Sequence, residues 1–114
     1  MNLDDAVQTF IVESRELLQQ MEEALLLVEQ QPANAETVNA IFRAAHTIKG
    51  SAGLFGFDAI VAFTHHAESV LDRVRGQGLP LDGPLTALLL EVGDQLRGMV
   101  DRVARGDAAS AEDE

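Results

Sequence analysis

Residues 3–30 read LDDAVQTFIVESRELLQQMEEALLLVEQ. Leu3, Val7, Phe10, Ser14, Leu17, Met21, Ala24 and Val28 step through this stretch by alternating fours and threes, and all but Ser14 are apolar. That spacing is an apolar stripe on one side of a helix, with Glu and Gln on the other side. It predicts a helix from Asp4 to about Gln30, roughly 40 Å long at ~1.5 Å per residue. A stripe of that length needs partner helices to cover it.

Three further stretches supply them. Gln31-Pro32-Ala33-Asn34 breaks the first helix, and Asn34 is placed to cap the second, which opens at Ala35 or Glu36. Val38, Ile41, Ala45, Ile48 and Ala52 form its expected buried stripe, and Gly50, Gly53 and Gly56 end it between Gly53 and Phe57. A third helix is expected from Asp58 to Arg75, buried through Ile60, Phe63, Ala67, Val70, Leu71 and Val74. Gly76 to Pro80 closes it. The fourth opens at Asp82-Gly83-Pro84, where a proline lacking an N–H is tolerated, and Gly106 stops it. Leu85, Leu88, Leu89, Val92, Leu96, Met99, Val100 and Val103 make its stripe, while Gly93 and Gly98 weaken it as a straight helix. Period-2 alternation is absent, so strands find no place. Four amphipathic helices with short connections predict an all-α fold, an antiparallel up-down four-helix bundle. The expected domain spans residues 1–106. Residues 107–114, DAASAEDE, read as an acidic disordered tail or the start of a linker.

Composition narrows the function. The 114 residues hold 19 Asp and Glu against 8 Lys and Arg, a formal net charge of −11. That sign repels phosphate backbones and anionic lipid, which argues against nucleic-acid or membrane-surface binding. With no cysteine, disulfide scaffolds, thiolate zinc sites and thiol catalysis are excluded. No apolar run approaches the ~20 residues of a membrane helix. The start Met1-Asn-Leu-Asp-Asp is acidic, unlike the basic opening of a signal peptide. A cytoplasmic location is expected. No P-loop is present, and the Glu-x-x-His pattern of metal-binding bundles is missing before His46, His65 and His66. No metal ligands are assigned.

One constellation carries chemistry. Lys49 is the only lysine and follows His46 by three residues, which makes them neighbours on a helix surface. With Ile41 at zero and ~100° per residue, the core stripe lies near 0–60°, Lys49 near ~80°, Gly53 near ~120°, His46 near ~140° and Gly50 near ~180°. The histidine is thus on the flank, beside two residues without side chains. A mid-helix glycine costs up to ~1 kcal/mol relative to Ala, so a pair of them here suggests that access to the imidazole is being kept. Phosphoryl transfer through an imidazole nitrogen wants this arrangement. The nucleophile must be neutral, a state that an ordinary histidine pKa of ~6.5 makes abundant at neutral pH. One nearby cation can offset the charge of the transferred group.

Ala44-Ala-His46-Thr-Ile-Lys49-Gly50-Ser-Ala-Gly53-Leu-Phe-Gly-Phe57 resembles the signature of histidine-phosphotransfer (HPt) domains. With Phe42-Arg43 before it and Thr64-His65-His66-Ala67-Glu68-Ser69-Val70-Leu71-Asp72 after it, the chain is similar to the N-terminal phosphotransfer domain of chemotaxis histidine kinases of the CheA type, over about residues 3–105. The resemblance implies that His46 is the phosphorylated histidine, that Lys49 steadies the phosphoryl group, and that Gly50 keeps the imidazole accessible. His65 and Glu68 match a pair kept in the chemotaxis subfamily, in which the glutamate hydrogen-bonds the imidazole. Two departures stand out: Gly50-Ser51 replaces a frequent Gly-Gly, and only the acidic tail stands where a fifth helix often follows.

The expected geometry agrees with the pair. His65 and Glu68 share a stripe with Val61 and Asp72 outside the expected core arc of the third helix. If the second and third helices are antiparallel neighbours, this flank meets His46. A carboxylate there would fix one tautomer and leave the lone pair on the other nitrogen. The implied function is that His46 takes a phosphoryl group, derived from ATP, from a kinase catalytic domain. It then passes the group to an aspartate of a response regulator of the CheY or methylesterase type. No cofactor is expected in the chain itself: ATP and Mg2+ would come with the kinase domain, and Mg2+ also with the regulator. By itself the chain would be no enzyme. An adaptor bundle is the alternative, and the retention of both His46 and Lys49 argues against it.

Overall fold

The structure is a computed structural model that describes residues 3–31, 34–76 and 78–106. Its elements are α1 (Leu3–Gln30), α2 (Ala35–Leu54), α3 (Asp58–Arg75) and α4 (Gly83–Ala104). Among the described residues there is no strand. Each helix packs on its neighbour in the chain, and α4 closes back on α1. Arg15 meets Asp101 at 2.8 Å and Glu22 meets Arg97 at 3.5 Å, so α1 and α4 run in opposite directions. The architecture is the antiparallel four-helix bundle that the apolar spacing predicts.

The helix ends follow from local chemistry. Asn34 caps α2, its side chain accepting from the Thr37 amide at 2.8 Å. Asp82 caps α4 in the same way through the Leu85 amide at 3.0 Å, with Pro84 in the first turn. Each cap satisfies an amide that no helical carbonyl can reach. Gly56 turns the chain between α2 and α3 at φ +70°, a conformation costly for other residues. Phe10 of α1 packs edge-on against Phe55 and tilted against Phe57, with ring centroids 5.7 and 5.3 Å away, and so holds that turn to the bundle. Pro32, Ala33, Gln77 and the tail 107–114 lie outside the described residues, as does the Leu3 side chain.

In α2 the five expected residues are buried, with Ala44 beside them. The other three stripes need correction. In α1, Phe10, Ser14 and Met21 are buried, but Ile11, Leu18 and Leu25 go equally deep, while Val7, Leu17, Ala24 and Val28 are half-buried. A row of alternating fours and threes drifts ~20° per heptad around a straight helix, and α1 must fill the space between two neighbours, so two adjacent rows share the burial. In α3, Phe63 and Val70 are half-buried, and Thr64 and Glu68 are buried instead. The Thr64 hydroxyl donates to the Ile60 carbonyl at 2.6 Å, which makes its burial tolerable. In α4, Leu88 is half exposed, and buried Thr86 donates to the Asp82 carbonyl at 2.7 Å.

Neither internal glycine breaks α4. Gly93 allows a close approach: a Cβ there would lie 3.3 Å from Met21 Cε of α1. Gly98 is exposed with nothing within 4 Å of an added Cβ. Gly98→Ala should therefore stabilise the domain by about 0.5–1 kcal/mol, raising Tm in a thermal melt. Gly93→Ala should gain less, because Met21 has to shift.

Candidate functional site

α2 brings His46 and Lys49 to one surface, and α3 places Glu68 against both. Glu68 Oε2 accepts a hydrogen bond from Nδ1 of His46, and Oε1 accepts one from Nζ of Lys49. One carboxylate thus bridges two groups that stand a helical turn apart. The His46 side chain is 63% exposed, that of Lys49 25% and that of Glu68 10%. The imidazole lies at the surface while the group that orients it lies beneath.

The Glu68 carboxyl experiences opposing influences. Burial raises its pKa, but the hydrogen bonds from Lys49 and His46, together with the Lys49 charge, outweigh that and leave it below the ordinary carboxylate value. Glu68 is therefore ionised at neutral pH. An ionised carboxylate can only accept, so Nδ1 carries the proton and Nε2 the lone pair of the neutral ring. Nε2 has no hydrogen-bond partner among the described residues. The tautomer follows from Glu68 alone.

Two further contacts surround the ring. Phe42, one turn earlier, lies parallel to the imidazole at 9° with centroids 6.0 Å apart. The Arg75 guanidinium at the end of α3 sits 3.9 Å from the Phe42 centroid. Sequence reasoning did not find the arginine, because nothing in its spacing relates it to His46. The signal for Phe42 is its i−4 position relative to the histidine.

The remaining expected site residues are placed as follows. Glu68 is buried rather than on an exposed stripe, because its carboxylate has to reach between α2 and α3 to meet both partners. His65 is exposed and faces His66, ring centroids 6.3 Å apart, and it makes no hydrogen bond to His46 or Glu68. The structure does not bring it into the network. Gly50 and Gly53 are exposed, and an added Cβ at either would meet no atom within 4 Å. Neither glycine relieves a clash within the domain. Between α1 and α2, a groove lined by Glu13, Glu16, Leu17, Gln20, Thr47 and Ser51 runs beside the site. Among the described residues, no group of three or more His, Asp or Glu is placed to hold a metal ion. No described helix is long and apolar enough to cross a membrane.

Known proteins resemble this chain in sequence and in fold. The Hpt domain family model matches residues 5–106. The chemotaxis protein CheA of Salmonella typhimurium is 42% identical over 98% of this chain, and that of Treponema pallidum is 36% identical over 90%. The chain spans 17% and 13% of the length of these two relatives. Among solved structures, the phosphorylated P1 domain of CheA3 in complex with CheY6 from R. sphaeroides has a TM-score of 0.85 at 30% identity. The match covers 95% of this chain and 81% of that one. The CheA phosphotransferase domain from Thermotoga maritima has a TM-score of 0.84 at 31% identity, covering 91% and 99%. With a family match across nearly its whole length and the bundle and surface histidine to go with it, the chain belongs to the Hpt domain family.

Proposed function

We propose that this chain is the phosphotransfer domain of a chemotaxis histidine kinase of the CheA type, with Nε2 of His46 as the atom that carries the phosphoryl group. The observation that carries this reading is the Glu68 carboxylate on Nδ1 of an imidazole that is otherwise open to solvent. The Nε2 lone pair attacks the γ-phosphorus of ATP held by a kinase domain. The N–P bond forms, the bond to the β-phosphate oxygen breaks, and ADP leaves. Positive charge that develops on the ring is met by Glu68 through the Nδ1 proton. Lys49, fixed one turn away by the same carboxylate, offsets the phosphoryl charge.

In the second step an aspartate oxygen of a CheY-type regulator attacks the same phosphorus. The N–P bond breaks and its electrons return to Nε2. Mg2+ would come with the kinase domain and the regulator. The chain is then a substrate of one protein and a donor to another, rather than a catalyst alone. A phosphoryl group that comes from ATP is in keeping with a cytoplasmic location. A regulator would seat over the exposed imidazole of His46.

Incubated with a CheA-type catalytic domain, Mg2+ and labelled ATP, the chain should acquire acid-labile, base-stable label. His46→Gln should acquire none, with an unchanged helical circular-dichroism spectrum, because the side chain is mostly exposed. Label on that variant, or none on the wild type with an active cognate kinase, overturns the reading and leaves an adaptor bundle.

Glu68→Gln should slow labelling by about tenfold, the loss of ~1.4 kcal/mol of transition-state stabilisation, while the domain stays folded. An unchanged rate removes Glu68 from the chemistry. The same variant tests proton linkage. Because the Glu68 pKa is lowered on folding, the stability it contributes is present above its unfolded value of 4.5 and is lost as pH falls through the folded value. Urea melts of wild type and Glu68→Gln should therefore converge as pH drops below 4.5.

A further inference from the structure

A cleft of about 730 Å³ lies where α2 begins and α3 ends. Asn39 and Arg43 of α2 and Arg75 of α3 give it polar walls, and Val74, Leu79 and Pro80 give it an apolar floor. Its charge runs against that of the chain. Acidic residues outnumber basic ones 19 to 8 in the sequence, yet among the described residues no Asp or Glu lines this cleft.

The cleft adjoins the reactive histidine. Arg43 precedes His46 by three residues on the same helix, about 4.5 Å along its axis, and both side chains are exposed. Arg43 makes no ion pair with the other described residues. Arg75 is held in place over the Phe42 ring, and its pair with Asp72, at 3.7 Å between exposed groups, is a loose one. Arg75 is thus fixed over Phe42, whose ring also lies against the imidazole, and Arg43 is exposed one turn before His46, while Lys49 is already engaged by Glu68.

We propose that this cleft docks an acidic surface segment of the receiver protein that takes the phosphoryl group from His46. The inference rests on the function proposed above. A receiver that presents an aspartate acceptor, with carboxylates to hold its Mg2+, has an acidic reactive face. A domain with a net charge of −11 repels such a face, and Arg43 and Arg75, with no carboxylate in the cleft between them, offset this locally. Receiver carboxylates bind the two arginines, and an apolar residue next to them packs on Leu79 and Pro80.

The test begins with chain phosphorylated chemically on histidine with phosphoramidate, so that no kinase domain is needed. Transfer to a CheY-type receiver with Mg2+ is then followed against receiver concentration, at low and at high salt. Arg43→Glu should raise the KM for the receiver about tenfold at low salt, with a far smaller change in the limiting rate. The gap to wild type should close at high salt, and Arg43→Lys should restore most of the affinity. Asn39→Asp, which adds a negative charge at a second point of the cleft, should shift KM in the same direction. Unchanged KM and salt dependence in both acidic variants overturns the docking assignment. So does a KM shift confined to a parallel labelling of the same variants by a kinase catalytic domain with ATP, which would make that domain the occupant. A chain that takes no label at all overturns the proposed function as well, whereas normal label with an unmoved KM overturns the docking alone.

Discussion

A carboxylate removed from water has to be paired, and this bundle is organised around one that is. Glu68 exposes a tenth of its side chain, and its two oxygens are divided between Lys49 and His46. An unpaired charge at that depth would take up a proton, since desolvation favours the neutral acid. Ionisation instead persists because α2 presents two donors a single turn apart. That requirement sets the register of α2 against α3: a slide of four residues would put Phe42 and Ala45, or Gly50 and Gly53, where donors are needed. It also explains why Glu68 can occupy the edge of a core that is otherwise built from Ile41, Ile48, Ile60 and Leu71.

Two other buried polar groups obey the same rule by local means. Thr64 and Thr86 each return their hydroxyl to a carbonyl four residues back, so neither asks anything of another helix. No buried side-chain nitrogen or oxygen lacks a partner among the described residues. Of these three buried side chains, Glu68 alone spends its hydrogen bonds across a helix interface, and that difference separates the site from the scaffold. The exposed pair Arg15–Asp101 contributes little by comparison, because each partner is well solvated.

Much of this was legible in the sequence. Pro32, Pro80 and Pro84 with the glycine runs mark three connections, and α3 was expected over the span it occupies. The Asn34 cap was readable because a short polar side chain before an apolar-periodic run has one obvious use. The stripes were less legible. Leu17 and Leu18 both fit a helical pattern, and which of them lies deeper depends on how α1 is rotated between α2 and α4, a property of the packed bundle. Treating polar residues as outward put Glu68 on an exposed stripe with His65. The structure separates them: the carboxylate turns in toward Lys49 and His46, and the imidazole of His65 stays outside with His66. The Arg75–Phe42 contact had no signal at all, since it joins residues 33 positions apart through a ring face.

The shared lysine bears on how firmly a phosphoryl group would be held. Lys49 is the lone ammonium at the site, and it already neutralises Glu68. On the proposed chemistry a phosphoryl group at Nε2 brings close to two negative charges beside one that is buried. One cation cannot fully compensate both. If Lys49 turned wholly to the phosphoryl group, Glu68 would lose its first partner while keeping its burial. If it stayed on Glu68, the phosphoryl group would face solvent with little protein charge beneath it. Either division leaves the phosphorylated state without a tight electrostatic cage, so the N–P bond is kept available to an incoming carboxylate. A second cation directly under Nε2 would hold the group more strongly and, by the same interaction, oppose its departure. An intermediate that has to release what it receives is better served by one lysine divided between two anions.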